Sequence, residues 1–231
     1  VIAAVLGARK RTPRRNDLTA LSWWLVFGVL ANAIIGGISV KVDLHPMWIQ
    51  SHLLLSMFLI VMGTLLVRRA GEPDGVAPVR LVDPLTERVV WAHFALCCLA
   101  MFTGSIVTGA GPHAGDETAE RLGVAIPTAA RIHGSTVMAA IAVALFLAWR
   151  SMRYTQVRRA LQHALSTWIV VGVVQAAIGY LQYFNDVPEL LVGIHVAGAT
   201  TVMWASTVLL LDTRRAPQSI EHPLSAELVR T

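Results

Sequence analysis

The chain has 231 residues, of which 55% are hydrophobic and only 14% are charged, and its mean hydropathy is +0.60. This composition excludes an ordinary soluble domain and is typical of a polytopic membrane protein, in which each span needs about 20 mostly apolar residues. The net charge of +5 comes mainly from residues at the ends of apolar segments, so we predict no nucleic-acid partner. Cys97 and Cys98 lie inside such a segment and are predicted to be buried thiols, because adjacent cysteines rarely form a disulfide.

The predicted fold is an all-α polytopic membrane protein with six full transmembrane helices and the end of a seventh. Residues 1–7 have the composition of the inner end of a helix, and a basic loop follows them. The tail is polar and is predicted to be loosely held. The predicted spans cover residues 18–40, 47–67, 89–108, 126–149, 161–183 and 188–211.

Positive charge predicts the orientation of these spans. Sixteen of the 19 Lys and Arg residues fall on one side of the predicted membrane, and the other side has only Lys41, Arg121 and Arg131. Because cytoplasmic loops carry an excess of Lys and Arg, the C-terminus is predicted to be cytoplasmic. The alternation holds through all six spans, which independently supports their number.

An internal repeat relates two parts of the chain. IGGISVKVDLHPMWIQSH ends at His52 and IGYLQYFNDVPELLVGIH ends at His195, and each runs from Ile-Gly through a loop with Asp and Pro to its histidine. This pattern predicts a duplicated four-helix-bundle architecture. We assign residues 1–70 to the C-terminal part of the first repeat, 71–88 to a cytoplasmic linker, 89–211 to the second repeat and 212–231 to a cytoplasmic tail.

Three histidines near the outer ends of spans are the candidate site residues. His195 follows Pro188 by seven residues and His133 follows Pro127 by six, so each imidazole is predicted roughly 10 Å below the start of its helix. An ionisable group at that depth is a functional candidate by default. Two histidines at matched depth on antiparallel helices would bind the two faces of one haem iron. His52 is the repeat equivalent of His195.

Other interpretations of these residues remain open from the sequence alone. The histidines would also serve as ordinary hydrogen-bonding partners of neighbouring helices. A zinc or copper site would need more ligands, for which the neighbouring loop offers His113, Asp116 and Glu117. His93 is predicted to pack in the core or against lipid headgroups, and His163 to be solvated. Trp168 and five other tryptophans are predicted to be interfacial anchors.

Several segments together resemble the haem A synthase family in its actinobacterial form. They are TGSIVTGAGPHAGD, RIHGST, QAAIGYLQY with PELLVGIHVAGA, and GGISV with HPMWIQSHLLLSM, and the resemblance extends over nearly the whole chain except the tail. That family has eight spans in two similar four-helix halves. The resemblance implies that His133 and His195 are the axial ligands of a haem b cofactor. It places His52 as the second histidine of the first half, a metal ligand and catalytic residue at the substrate haem.

The chain departs from the family pattern in two respects. Family members carry, on the second span, a histidine with a nearby glutamate that is implicated in catalysis, and many carry a cysteine pair in the first outer loop. Neither feature occurs here, so we expect the chain to be N-terminally incomplete and inactive by itself.

The activity implied by the resemblance is oxidation of a methyl group of haem O to the formyl group of haem A. The haem b of the second half would carry electrons away from the substrate. The implied partners are the haem O synthase, the cytochrome oxidase that receives haem A, membrane lipid and a second copy of the chain, all at the plasma membrane. The alternative is a non-catalytic b-type di-haem electron-transfer protein. A transporter would require broken helices and charges in mid-span, which the sequence does not have.

Overall fold

The computed structural model describes residues 1–112 and 119–217. Six of the helices in this part are long and apolar enough to cross a membrane. The chain is therefore an all-α polytopic membrane protein, and the prediction of six spans is confirmed. The elements are α1 (Ile2–Lys10), α2 (Asn16–Lys41), α3 (Pro46–Ala70), β1 (Val79–Arg80), α4 (Pro84–Ala110), α5 (Ile126–Arg153), α6 (Thr155–Phe184), α7 (Glu189–Leu211) and β2 (Arg214–Arg215).

The helices are longer than the sequence predicted, mainly at their basic ends. Tyr154 alone separates α5 from α6, where a loop was predicted, and α4 begins at Pro84 inside the range assigned to the linker. Polar residues in the first and last turns of a helix lie outside the apolar part of a span. Hydropathy alone therefore predicts helices that are too short at these ends. Asp83 fixes the start of α4, because its Oδ1 accepts hydrogen bonds from the backbone amides of Leu85 and Thr86.

Helices α4 to α7 form a four-helix bundle. Each packs against the next along the chain, and α7 closes the bundle by packing against α4, so α5 and α7 face each other across it. Both begin at the same end and run in the same direction, so the prediction of antiparallel helices was wrong. Helix α3 packs against α4 and α7, α2 against α3, and α1 against α2. The bundle core includes Val90, Ala144, Leu147, Leu161 and Leu209, all fully buried.

The predicted repeat corresponds to matching backbone in the structure. The end of α2 and the start of α3 precede the end of α6 and the start of α7 by the same offset that separates His52 from His195. In both connections two consecutive residues adopt left-handed φ angles, and the amide of the second residue donates to a carbonyl at the helix end over 2.8 Å. The left-handed residues are Asp43 with Leu44 and Asp186 with Val187, and the acceptors are Ser39 and Gln182.

The basic ends of the helices are joined to one another, and we call this end of the molecule the arginine face. The long side chains reach carboxylates on neighbouring elements, and β1 pairs with β2 in antiparallel fashion. Residues 212–217 are thus anchored, contrary to the prediction of a loosely held tail, while 218–231 lie outside the described residues. The ion pairs across elements in the described part of the chain include Arg15–Asp74, Arg68–Asp212, Arg150–Asp83 and Arg214–Glu87.

Candidate functional site

His133 and His195 face each other across the bundle. Their ring centroids lie 6.4 Å apart and their ring planes are perpendicular. His133 lies two turns into α5, which has Pro127 in its first turn, and His195 lies two turns into α7, for which Pro188 is the N-cap. Matched helix starts therefore bring the two imidazoles to the same depth, as the spacing predicted.

The separation of the two rings fits a metal ion bound between them. Two imidazole–metal bonds of about 2.0–2.1 Å in line, together with the radius of each ring, bring the ring centroids to roughly 6 Å apart. Within residues 1–112 and 119–217, no group of three His, Cys, Asp or Glu side chains is placed to hold a metal ion. A two-histidine arrangement with an open plane between the ligands suits a haem iron. The further ligands suggested for zinc or copper, His113, Asp116 and Glu117, lie outside the described residues.

A cavity of about 720 Å³ surrounds the pair. This volume lies in the range of small-molecule and cofactor sites, and most of the surface that lines it is apolar. Met138 and Tyr180 line the cavity and are also more than half exposed, so the cavity reaches the outer surface of the bundle beside α5 and α6. Arg131, Gln175 and Gln182 supply polar groups to its wall.

The second ring nitrogen differs between the two histidines. Nδ1 of His133 lies 3.3 Å from Oγ1 of Thr103. Nδ1 of His195 is buried and has no hydrogen-bond partner in the described part of the chain. Buried polar atoms in proteins are almost always paired, so an unpaired imidazole nitrogen beside a cavity indicates a site whose ligand completes it.

His52 lies apart from this pair. Its neighbours Leu53 and Met57 line the cavity, whereas His52 faces α2. Its Nδ1 lies 3.0 Å from the carbonyl oxygen of Asn32. Because a carbonyl only accepts, Nδ1 carries the proton and Nε2 keeps the lone pair that a metal would need. Donation from the other ring nitrogen to a carbonyl is the usual arrangement of a metal-binding histidine.

Other residues whose positions the sequence predicted lie in the packed core or on the surface. His93 is fully buried and packs edge-on against Trp168 with ring centroids 4.3 Å apart, which confirms core packing. Trp168 is buried and donates to Ser206, so its prediction as an interfacial anchor was wrong. Cys97 is buried but Cys98 is exposed, because adjacent residues on a helix point in different directions. His163 is exposed on α6, as predicted for a solvated residue.

Three residues of the site were not identified from the sequence as site residues. They are Gly104 and Thr103 beside His133, and Gln175 in the cavity wall. Gln175 carried a usable signal, because an amide in mid-span is unusual in a membrane helix. Gly104 belongs to a glycine-rich segment, and the sequence of that segment does not show which of its glycines contacts a histidine.

Searches of protein-family models, of curated proteins and of solved structures found no match to this chain.

Proposed function

We propose that the chain is a haem A synthase-type membrane oxidoreductase in which His133 and His195 bind a haem b. The observation that carries the proposal is the pair of facing imidazoles, 6.4 Å apart, inside a cavity of about 720 Å³. When bound, the haem b supplies one-electron chemistry. The chain supplies the two ligands, orients His133 through Thr103 and surrounds the site with apolar helices that exclude water.

The proposal assigns His52 to the substrate haem, haem O, as a ligand through Nε2. The hydrogen bond from His52 Nδ1 to the Asn32 carbonyl supports this assignment because it fixes the tautomer that leaves Nε2 free. The product is haem A. The arginine face, which collects the basic loops, is assigned to the cytoplasmic side of the plasma membrane. The haem O synthase and a cytochrome oxidase are the partners that this activity requires.

The test of the haem site uses the full chain purified in detergent from cells that make haem. The expected result is one low-spin b-type haem per chain, measured by the absorption spectrum and by the pyridine haemochrome. His133→Ala and His195→Ala remove one axial nitrogen each and should abolish the low-spin spectrum. His163→Ala is the matched control, because His163 is exposed on the neighbouring helix α6. A double variant, His133→Ala with His195→Ala, that keeps its full haem content and spectrum would refute the assignment.

An electron-transfer protein without catalytic activity is the second candidate. The observation that favours it is that the described residues place two histidines at one haem position but His52 alone at the other. Membranes that contain the chain are supplied with haem O, and the haems are extracted and separated by chromatography. Formation of haem A, or retention of haem O that His52→Ala abolishes, supports the synthase, whereas retention of haem b without bound haem O supports the electron-transfer protein.

A further inference from the structure

Each of the three candidate histidines lies directly on a glycine of the preceding helix. A Cβ atom placed on that glycine would lie 3.0 to 3.3 Å from the imidazole, which is tighter than ordinary van der Waals contact. The absence of a side chain is therefore what lets the ring approach the helix backbone. The pairs are Gly36 with His52, Gly104 with His133, and Gly179 with His195.

In two of these pairs an acceptor on the same helix as the glycine contacts Nδ1 of the histidine. Asn32, whose carbonyl oxygen accepts from His52 Nδ1, lies four residues before Gly36. For His133 the acceptor is the hydroxyl of Thr103, the residue before Gly104, whose Oγ1 lies 3.3 Å from Nδ1. In an α-helix the carbonyl of residue i−4 accepts the amide of residue i, so the Asn32 carbonyl is already bonded to the amide of Gly36. Its second lone pair remains available only if no Cβ covers it.

The third pair, Gly179 with His195, has no such contact, but a backbone carbonyl occupies the equivalent position in the sequence. Gln175 lies four residues before Gly179 and is the repeat equivalent of Asn32. Nδ1 of His195 is buried without a partner in the described part of the chain, next to that stretch of α6. The Gln175 side chain is directed to the backbone at Gly198 and so does not itself contact His195 Nδ1.

We propose that Gly36, Gly104 and Gly179 are positioning residues that each let a ligand histidine lie close enough to the preceding helix for its Nδ1–H to reach an acceptor there. In this arrangement, which we call the glycine seat, the acceptors are the Asn32 carbonyl for His52, the Thr103 hydroxyl for His133 and the Gln175 carbonyl for His195. The seat fixes the tautomer and the ring plane, and it directs Nε2 away from the helix. The inference deepens the proposed function, on which it rests, because it concerns the same three histidines. It also assigns to His195 a bond with the Gln175 carbonyl that forms when Nε2 is bound.

The first test needs no cofactor. The chain is labelled with ¹⁵N-histidine, and the Nδ1 signal of His52 is assigned by its disappearance in His52→Gln. Gly36→Ala should move this signal out of the hydrogen-bonded Nδ1–H range, because the new methyl group displaces the ring from the Asn32 carbonyl. Gly37→Ala is the matched control, since a Cβ at Gly37 meets no atom within 4 Å. An unchanged His52 signal in Gly36→Ala would overturn the proposal.

The second test uses the haem-loaded chain. Gly104→Ala and Gly179→Ala should weaken haem binding by about 10- to 100-fold, as loss of supporting hydrogen bonds does at other metal sites. They should also shift the g-values of the low-spin ferric haem in electron paramagnetic resonance, which follow the orientation of the imidazole planes. Gly193→Ala, on the same helix as His195 and open on all sides, should match the wild type. Wild-type affinity and g-values in both variants would overturn the proposal.

A third measurement covers variants that fail to fold. The Nδ1 signal of His195 in the wild-type chain should shift to the hydrogen-bonded range on haem loading, and an absence of that shift would overturn the assignment of Gln175. If the wild-type chain takes up no haem, the proposed function fails, while the His52 signal in Gly36→Ala still decides the glycine seat.

Discussion

Asp43 and Asp186 adopt the same left-handed backbone conformation, with φ angles of 50° and 56°, in the two loops that the internal repeat relates. Each is followed by a second left-handed residue, Leu44 or Val187, although neither residue type favours that conformation. Two such residues in succession make each loop conformation costly in free energy. Such a conformation persists only where the surrounding structure determines it. The two loops thus set α3 and α7 at the same position relative to α2 and α6, and the places of His52 and His195 follow from this geometry.

We predict that Asp186→Pro disrupts the second of these loops. The observed φ at this position is 56°. Proline restricts φ to a narrow range of negative values and is therefore incompatible with it. The variant should lose more than about 1 kcal/mol of stability, measured as a lower thermal midpoint in detergent, and it should lose haem. Asp186→Gly is the control, because glycine adopts positive φ freely. A proline variant with the wild-type midpoint would show that this loop conformation is dispensable.

A second prediction concerns the ion pair between Asp83 and Arg150. Arg150 is buried and donates to Asp83 Oδ2 over 2.9 Å and to Thr86 Oγ1 over 3.0 Å. Asp83→Ala removes the helix cap and leaves a buried guanidinium with one partner, so we expect a loss of roughly 2–4 kcal/mol. The measurement is the thermal midpoint, with Asp17→Ala as an exposed acidic control.

The same pair makes stability depend on pH. Burial alone would raise the pKa of Asp83, but hydrogen bonds from Thr86 and Arg150 outweigh it and lower the pKa to about 2. A lowered pKa in the folded state means that the stabilisation is complete above the ordinary value of 3.8 and is lost as the pH falls towards 2. The thermal midpoint of the wild type should therefore fall between about pH 4 and pH 2 more steeply than that of Asp83→Asn. Equal slopes would contradict the assignment.

A third prediction concerns orientation in the membrane. Reporter domains fused after Tyr154, on the arginine face, and after Gly123, at the opposite end of α5, should report opposite sides. The positive-inside rule places the Tyr154 fusion in the cytoplasm. The same side for both fusions would contradict the six-span topology.

A fourth prediction tests the buried contact under the cavity. Trp168 Nε1 donates to Ser206 Oγ over 2.8 Å, and both residues are buried. Trp168→Phe removes the donor and leaves Ser206 with one fewer partner, so we expect a loss of about 1–3 kcal/mol. Trp91→Phe is the matched control, because Trp91 is more than half exposed. Equal thermal midpoints for the two variants would show that the hydrogen bond contributes little.

Hydropathy and charge were sufficient to predict the six spans, and spacing from a proline predicted the shared depth of His133 and His195. The positions of the ring neighbours could not be predicted in the same way. Gly104 and Gln175 acquire their roles from helices that meet only after packing, and a one-dimensional pattern does not show which residue of α4 or α6 faces a given imidazole. Trp168 was misassigned for the same reason, since position along a span does not distinguish a tryptophan in the core from one at the interface.

The ion pair between Arg68 and Asp212 can form only late in the synthesis of the protein. Arg68 lies in the last turn of α3, whereas its partner Asp212 follows α7, 144 residues later. Strand β1 likewise can pair only after β2 has been synthesised. At about 5–20 residues per second, roughly 7–30 s of synthesis separate the two. During that interval the early helices have been made while one of their arginines lacks its carboxylate. A nascent chain released before residue 212 would contain all six spans and would still lack the ion pair that links the end of α3 to the end of α7.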